Sequence, residues 1–164
     1  MCRYKSAIVL RNGDLIHAAE TDSHTDLLDM AGISDTSMSP DFVRVEYTSD
    51  KLAEIDTYKL RVGQDWLPTW WNEDAASEAT RKLRRICERA IVSEARKCLI
   101  GGVWILRGAA VVERTVSARI VEMWGSSQVG TMLESSQVGT MLESSRVGTM
   151  WGSSRVVSDY RNNK

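Results

Sequence analysis

Apolar residues in this chain follow three spacings in turn, and each spacing predicts a different element. Up to residue 62 the spacing is short or alternating. Residues 6–10 form a brief apolar run that ends at Arg11-Asn12-Gly13-Asp14. Asn-Gly between two apolar runs is a strong hairpin signal, so residues 15–17 are expected to return as the second strand. Phe42-Val43-Arg44-Val45-Glu46-Tyr47-Thr48 and Tyr58-Lys59-Leu60-Arg61-Val62 alternate with a period of two, which predicts half-buried strands. Between hairpin and strands, Asp22 or Ser23 can cap a short helix over residues 25–31, with Gly32 at its stop and Ile33 packing back. Residues 49–56 are largely polar and predict a long hairpin loop.

The second spacing is helical. Ala76, Ala79, Leu83, Ile86 and Ala90 form one apolar stripe, preceded by Asn72 as a cap and by Glu73 and Asp74 in the first turn. This predicts a helix over residues 73–92 that covers the small sheet. The third spacing is a repeat of nine residues. Gly125-Ser126-Ser127-Gln128-Val129-Gly130-Thr131-Met132-Leu133 recurs from Glu134, from Glu143 and, decayed, from Gly152. A fixed short period means that each copy leans on its neighbours. Small-x-Val followed by Gly predicts a tightly wound β-solenoid with two units per coil: the small residue at the corner, Val inside, Gly turning the chain. Trp124 then lies over Leu142, and Leu133 over Trp151, with Met132, Met141 and Met150 as an adaptable ladder. Stepping back by nine from Val156 reaches Val147, Val138, Val129, Ile120 and Val111, which predicts six units, or three coils, from about Arg107. A disordered Ser/Gly tail has no need to keep apolar phase, so the regular Val and Met placement argues against one.

The expected architecture is an α+β head, residues 1–98, with a small antiparallel sheet and one long covering helix. A short C-terminal β-solenoid of nine-residue repeats, residues 99–164, follows, with its clear repeats at 125–160. Composition changes this little. The chain has 164 residues, 43% hydrophobic and 26% charged, with a net charge of −1, so no global field draws it to nucleic acid or membrane. Charge is uneven locally: residues 1–61 hold eleven acidic and seven basic side chains, and residues 81–97 hold seven basic and two acidic. Cys2, Cys87 and Cys98 make an odd count without CxxC spacing, which predicts neither a disulfide framework nor zinc and fits a reducing cytoplasm. No apolar run suggests a membrane span or a signal peptide.

Candidate chemistry is sparse. Asp22, His24 and Asp26, with His17 nearby, are the only set resembling metal ligands, and helix capping already accounts for these residue types. Cys87 sits among arginines one position from the apolar stripe, where a buried, inert thiol is expected. No GxSxG, P-loop, GxGxxG or HExxH occurs, so no catalytic residue, metal or cofactor is expected and the chain is read as a non-enzyme. Arg81, Lys82, Arg85 and Arg89 could grip phosphates, or could form a solvated face through i,i+4 pairs with glutamates. Trp66, Trp70 and Trp71 flank Pro68. They are expected to clamp helix to sheet, with Trp70 or Trp71 left as a partly exposed anchor.

On residues 125–151, and more loosely on Ser6-Ala7-Ile8-Val9-Leu10-x-Asn12-Gly13-Asp14 and Thr21-Asp22-Ser23-His24, the chain resembles proteins of bacterial and bacteriophage genomes that carry tandem Ser-Ser-x-Val-Gly-x-Met units after a small α/β head. The resemblance implies a mobile-element origin and transfers no catalytic residue. By analogy of class it suggests a phage inhibitor of host machinery, of the anti-CRISPR kind. The expected function is therefore a binding protein that docks on a host protein or nucleoprotein complex through Trp124, Gln128, Gln137, Arg146, Trp151 and Arg155, with a homodimer formed at the solenoid end. A nucleic-acid binder centred on the basic helix, a metal-dependent hydrolase using Asp22, His24 and Asp26, and a pure oligomerisation scaffold are the alternatives.

Overall fold

The computed structural model describes residues 5–19, 21–34 and 41–161. The chain divides into two compact units, Met1–Glu88 and Arg89–Lys164. The first holds a four-stranded antiparallel sheet ordered β2-β1-β3-β4, from strands β1 (Lys5–Leu10), β2 (Leu15–Ile16), β3 (Phe42–Thr48) and β4 (Lys59–Val62). The turn after β1 closes as expected, with Gly13 at φ +83° and Leu10 N–H donating to Asp14 O at 2.9 Å. Helix α1 (His24–Met30) is capped by Ser23, whose Oγ accepts from Asp26 N at 3.2 Å. Leu27 and Leu28 pack with Ile8 and Phe42, and Ile33 packs back on this cluster. The opposite sheet face carries Ala7, Val9, Val43, Val45 and Tyr47, all buried.

Helix α2 (Glu73–Ala90) begins where Asn72 Oδ1 accepts from Ala75 N at 2.9 Å. Its buried residues are Ala79, Leu83 and Cys87, so the stripe lies one step further round the helix than Ile86. Lys82 Nζ donates to Gly13 O at 2.7 Å, and Arg84 pairs with Asp56 at 2.5 Å; these bonds tie α2 to the hairpin turn and to the loop before β4. The helix stops two residues short of the expected end. Ile91–Val92 is strand β5, the first of the second unit, because the β-branched pair hydrogen-bonds to a solenoid strand there.

The second unit is a parallel β-solenoid of about four turns. Strands β6 (Arg96–Ile100), β8 (Val111–Val116), β10 (Gln128–Leu133) and β12 (Arg146–Met150) make one sheet. Strands β5, β7 (Val103–Leu106), β9 (Arg119–Met123), β11 (Gln137–Met141) and β13 (Arg155–Asp159) make the other. Two nine-residue units form one coil, as the repeat predicts: Gln128 pairs with Arg146, and Gln137 with Arg155.

Three details differ from expectation. The coil starts earlier, at β5, and numbers more turns than the three expected, because its first strands lack the repeat's Ser and Gly signature. The phase also slips. Val129 stacks on Val112, not Val111; Val112 is buried, whereas Val111 is 41% exposed. The cause is a short corner. Left-handed residues mark the corners at Gly108, Ser117, Gly125, Glu134, Glu143 and Gly152, and the step from Ser117 to Gly125 is one residue shorter than the rest. Finally, the repeat glycines do not turn the chain. Gly130, Gly139 and Gly148 lie within strands, and an added Cβ would sit 2.6, 2.6 and 2.4 Å from the carbonyl oxygens of Glu113, Val121 and Gly130 in the coil beneath. The inward residues explain the bend: Ser127, Val129 and Met132 are buried, two and then three apart, so two successive residues face outward between Val and Met. Glycine lets the kinked strand approach the coil below.

The interior is a set of columns. Val112, Val129 and Val147 stack in one sheet, and Trp104, Ile120, Val138 and Val156 in the other. Leu99, Thr115, Met132 and Met150 follow one another, as do Leu106, Met123, Met141 and Asp159. The methionine ladder is thus two ladders, one per sheet. Small residues line both corners: Ala110, Ser127 and Ser145 on one side, Ala118, Ser136 and Ser154 on the other, each N–H after the small residue donating to the small residue one coil down. The non-glycine corners carry their own compensation. Glu134 (φ +57°) accepts from Ser117 Oγ at 2.7 Å, and Glu143 (φ +55°) accepts from Gly125 N at 2.7 Å.

Candidate functional site

The two end coils have strands paired on one side only, β6 and β5 at the first end and β12 and β13 at the last, and it is the last that gathers a cluster of exposed apolar residues. Among the described residues, β12 and β13 end the two sheets. The columns beneath them are closed, but their own members are not covered. Met150, on the buried Met132, is 48% exposed; Trp151, just beyond β12, is 64% exposed; Val157 and Tyr160 are 62% and 52% exposed. Val147 and Val156 are half-buried against the core. Unpaired strand edges offer N–H and C=O groups to another strand. One polar device sits among these apolar residues. Asp159 occupies the end of the Leu106-Met123-Met141 column and is bound by Arg161, whose guanidinium also donates to Ser145 O at 3.2 Å. That partner holds the Asp159 carboxyl below its ordinary value, first through the side-chain hydrogen bond.

The six residues expected to bind a partner do not share one surface. Arg146 and Arg155 head β12 and β13, and Trp151 lies between those strands, so these three belong to the terminal coil. Gln128 and Gln137 stand in opposite sheets one coil lower, beneath Arg146 and Arg155 respectively. Trp124 is partly buried, and its Nε1 donates to Glu122 at 2.7 Å, so it serves the solenoid wall. Sequence reasoning missed Met150, Val157 and Tyr160 as surface residues. The repeat itself carried that signal, since the final unit has no successor among the described residues to cover it.

The other candidates are occupied by structure. Arg81 pairs with Glu78 at 2.5 Å, Lys82 with Glu78 at 3.6 Å, and Arg84 with Glu88 at 2.8 Å, which makes much of the basic stripe an ion-paired face. Arg85 and Arg89 are exposed on it. His24 Nε2 lies 3.0 Å from Val45 O, and Asp26 accepts from Thr21 Oγ1 at 2.7 Å; among the described residues no three His, Cys, Asp or Glu are placed to hold a metal ion. Cys87 is fully buried. Trp70 and Trp71 meet edge to face at 5.9 Å, both partly buried, while Trp66 is the exposed member of the group. A groove of about 550 Å³ runs between β4 and α2, floored by Leu60, Val62, Trp71 and Ala76. Among the described residues no helix is long and apolar enough to cross a membrane.

Fold and repeat together define a β-solenoid repeat protein with an α+β head. Comparison with protein-family models, with curated proteins and with solved structures gave no match.

Proposed function

We propose that this chain is a protein-binding module, and that the terminal coil of its solenoid is the binding face. The observation that carries the reading is the pair of one-sided strands β12 and β13, with Met150, Trp151, Val157 and Tyr160 exposed around them. The coils beneath hold these edges rigid, so a partner strand meets a template that needs no ordering of its own. Main-chain hydrogen bonds would supply affinity and the apolar side chains selectivity. The extensive ion pairing of α2 speaks against nucleic acid as the principal partner, because a phosphate would have to displace Glu78 and Glu88 from their arginines.

The test is a comparison of the intact chain with its Met150→Lys variant, each immobilised in nuclease-treated bacterial lysate. The expected result is a stoichiometric protein, either a lysate protein or free chain added to the lysate, retained by the intact chain and lost from the variant. Hydrogen exchange of residues 146–160 should slow when that protein is added back. Retention that is equal for both chains would refute the reading.

A further inference from the structure

We infer that the partner for which this end is built is a second copy of the same chain, stacked end to end about a two-fold axis. The inference rests on the binding-face reading above and names its occupant. It comes from the register of the last coil. Each terminal strand has two inward positions three residues apart: Val147 and Met150 in β12, Val156 and Asp159 in β13. When β12 of one copy runs antiparallel to β13 of the other, a single register matches inward to inward throughout. Met150 then opposes Val156 of the second copy and Val147 opposes its Asp159. The kinked outward pairs also meet, Gly148 with Ser158 and Thr149 with Val157. A shift of one residue would turn the inward residues of one strand outward against the other.

The residues that flank the strands match in the same register. Trp151 faces Arg155 of the second copy, and Arg146 faces its Tyr160, so both ends of each strand pair set a guanidinium against an aromatic ring. All four are exposed in the single chain. Asp159 is the one charged member of the inward set, and it carries its own counter-ion in Arg161, so the junction buries no unpaired charge. The stagger of the coil fits as well. Successive half-coils rise by about 2.4 Å, half the strand spacing of about 4.8 Å. Setting the lower edge of one copy against the upper edge of the other therefore brings both strand pairs to hydrogen-bonding distance at once. Pairing β13 with β13 instead would leave β12 and its mate a full strand apart.

The register makes a test that folding alone cannot satisfy. Thr149 and Val157 lie on the outer faces of opposite sheets, so cysteines placed there cannot join within one chain. Directly opposed residues across an antiparallel pair lie within disulfide reach, about 5 Å between Cα atoms. The full chain carrying Thr149→Cys and Val157→Cys together should form a covalent dimer under mild oxidation. Peptide mapping should show residue 149 joined to residue 157 of the second copy. Each single variant and the unmodified chain, with its native cysteines, are the controls and should not yield that peptide. Light scattering of the unmodified chain at tens of micromolar should give twice the chain mass. Met150→Lys should return it to the single-chain mass with exchange protection of β9 and β11 unchanged. A single-chain mass at that concentration, or a covalent dimer joined elsewhere, would overturn the inference. If the chain is single yet still holds a lysate protein that Met150→Lys releases, the self-pairing fails and the binding face stands. If it is single and holds none, both fail.

Discussion

Gly139→Ala should unseat the upper solenoid, and the size of the effect follows from one distance. Gly139 lies in the middle of β11 at a φ that alanine tolerates, so the backbone torsion raises no objection. The added Cβ would stand 2.6 Å from Val121 O and 3.4 Å from Val121 C in β9. Both sides of that contact are main chain held in a parallel ladder, from Gln137 opposite Arg119 to Met141 opposite Met123. No side chain can rotate away, so the strands must separate by several tenths of an ångström or the ladder must open. Overpacking of this kind costs about 1–3 kcal/mol. If β11 also lifts from the interior, Val138 and Met141, both buried, each lose about 1.5–3 kcal/mol of burial. The expected loss is therefore about 3 kcal/mol or more, despite the few tenths that Gly→Ala returns through the unfolded chain. Gly32→Ala is the control: its Cβ meets nothing within 4 Å, and only its left-handed φ of +66° counts against it, about 1 kcal/mol. Hydrogen exchange read by segment separates the two units, which a single melting curve would blend. A loss below about 1 kcal/mol with β9 and β11 still fully protected would refute the steric account.

Further outcomes follow from single groups. Ser127 Oγ and Thr115 Oγ1 are buried without a hydrogen-bond partner, and Ala110 fills the same column as Ser127, so Ser127→Ala and Thr115→Val should each leave urea stability unchanged or raise it by about 1 kcal/mol. Ser136→Ala should instead lower it by about 1 kcal/mol, because its Oγ accepts from Ala118 N at 3.3 Å. Asn72→Ala removes the cap of α2 and should cost about 1 kcal/mol, visible as faster exchange in its first turn. His17 has a pKa below the ordinary 6.5, lowered first by desolvation and then by the nearby Lys5 charge. A depressed histidine binds its proton less readily when folded, so its contribution is complete above pH 6.5 and is lost as pH falls through the folded value. The side chain is partly open to solvent, so the effect is small; His17→Gln should flatten the acid limb of head stability, and an unchanged limb would contradict the assignment.

The elements were legible where one residue type answers one local demand. Asn12-Gly13, Ser23 and Asn72 each stand where a turn or a first helical turn needs a particular donor, acceptor or φ, and the structure uses all three. The solenoid was legible because its period is a physical one: two units return the chain to the same column. The phase below Ile120 was not, since the shortened corner after Ser117 removes a residue without changing the apolar character of Val111-Val112. The role of the repeat glycine was hidden for a related reason. Glycine in a turn and glycine in a close-packed strand read alike in sequence, and only the carbonyl of the coil beneath tells them apart. The binding face was half legible: Trp151, Arg146 and Arg155 stand out as residues, but that they share one coil while Gln128 and Gln137 do not depends on the winding.

Near-identity of the repeats bears on how the terminal coil works. Every coil presents to the next one the columns that it receives from the one before, in parallel register. The chain's last unit departs from the others at few interior places: Asp159 replaces the methionine of its column, and Arg161 binds it across the end. Val147, Met150 and Val156 keep the repeat's own apolar character. The terminal coil thus retains the apolar columns of the interior and adds one ion pair across their end. An added unit of the consensus, in contrast, would extend the solenoid and move the same problem nine residues further along.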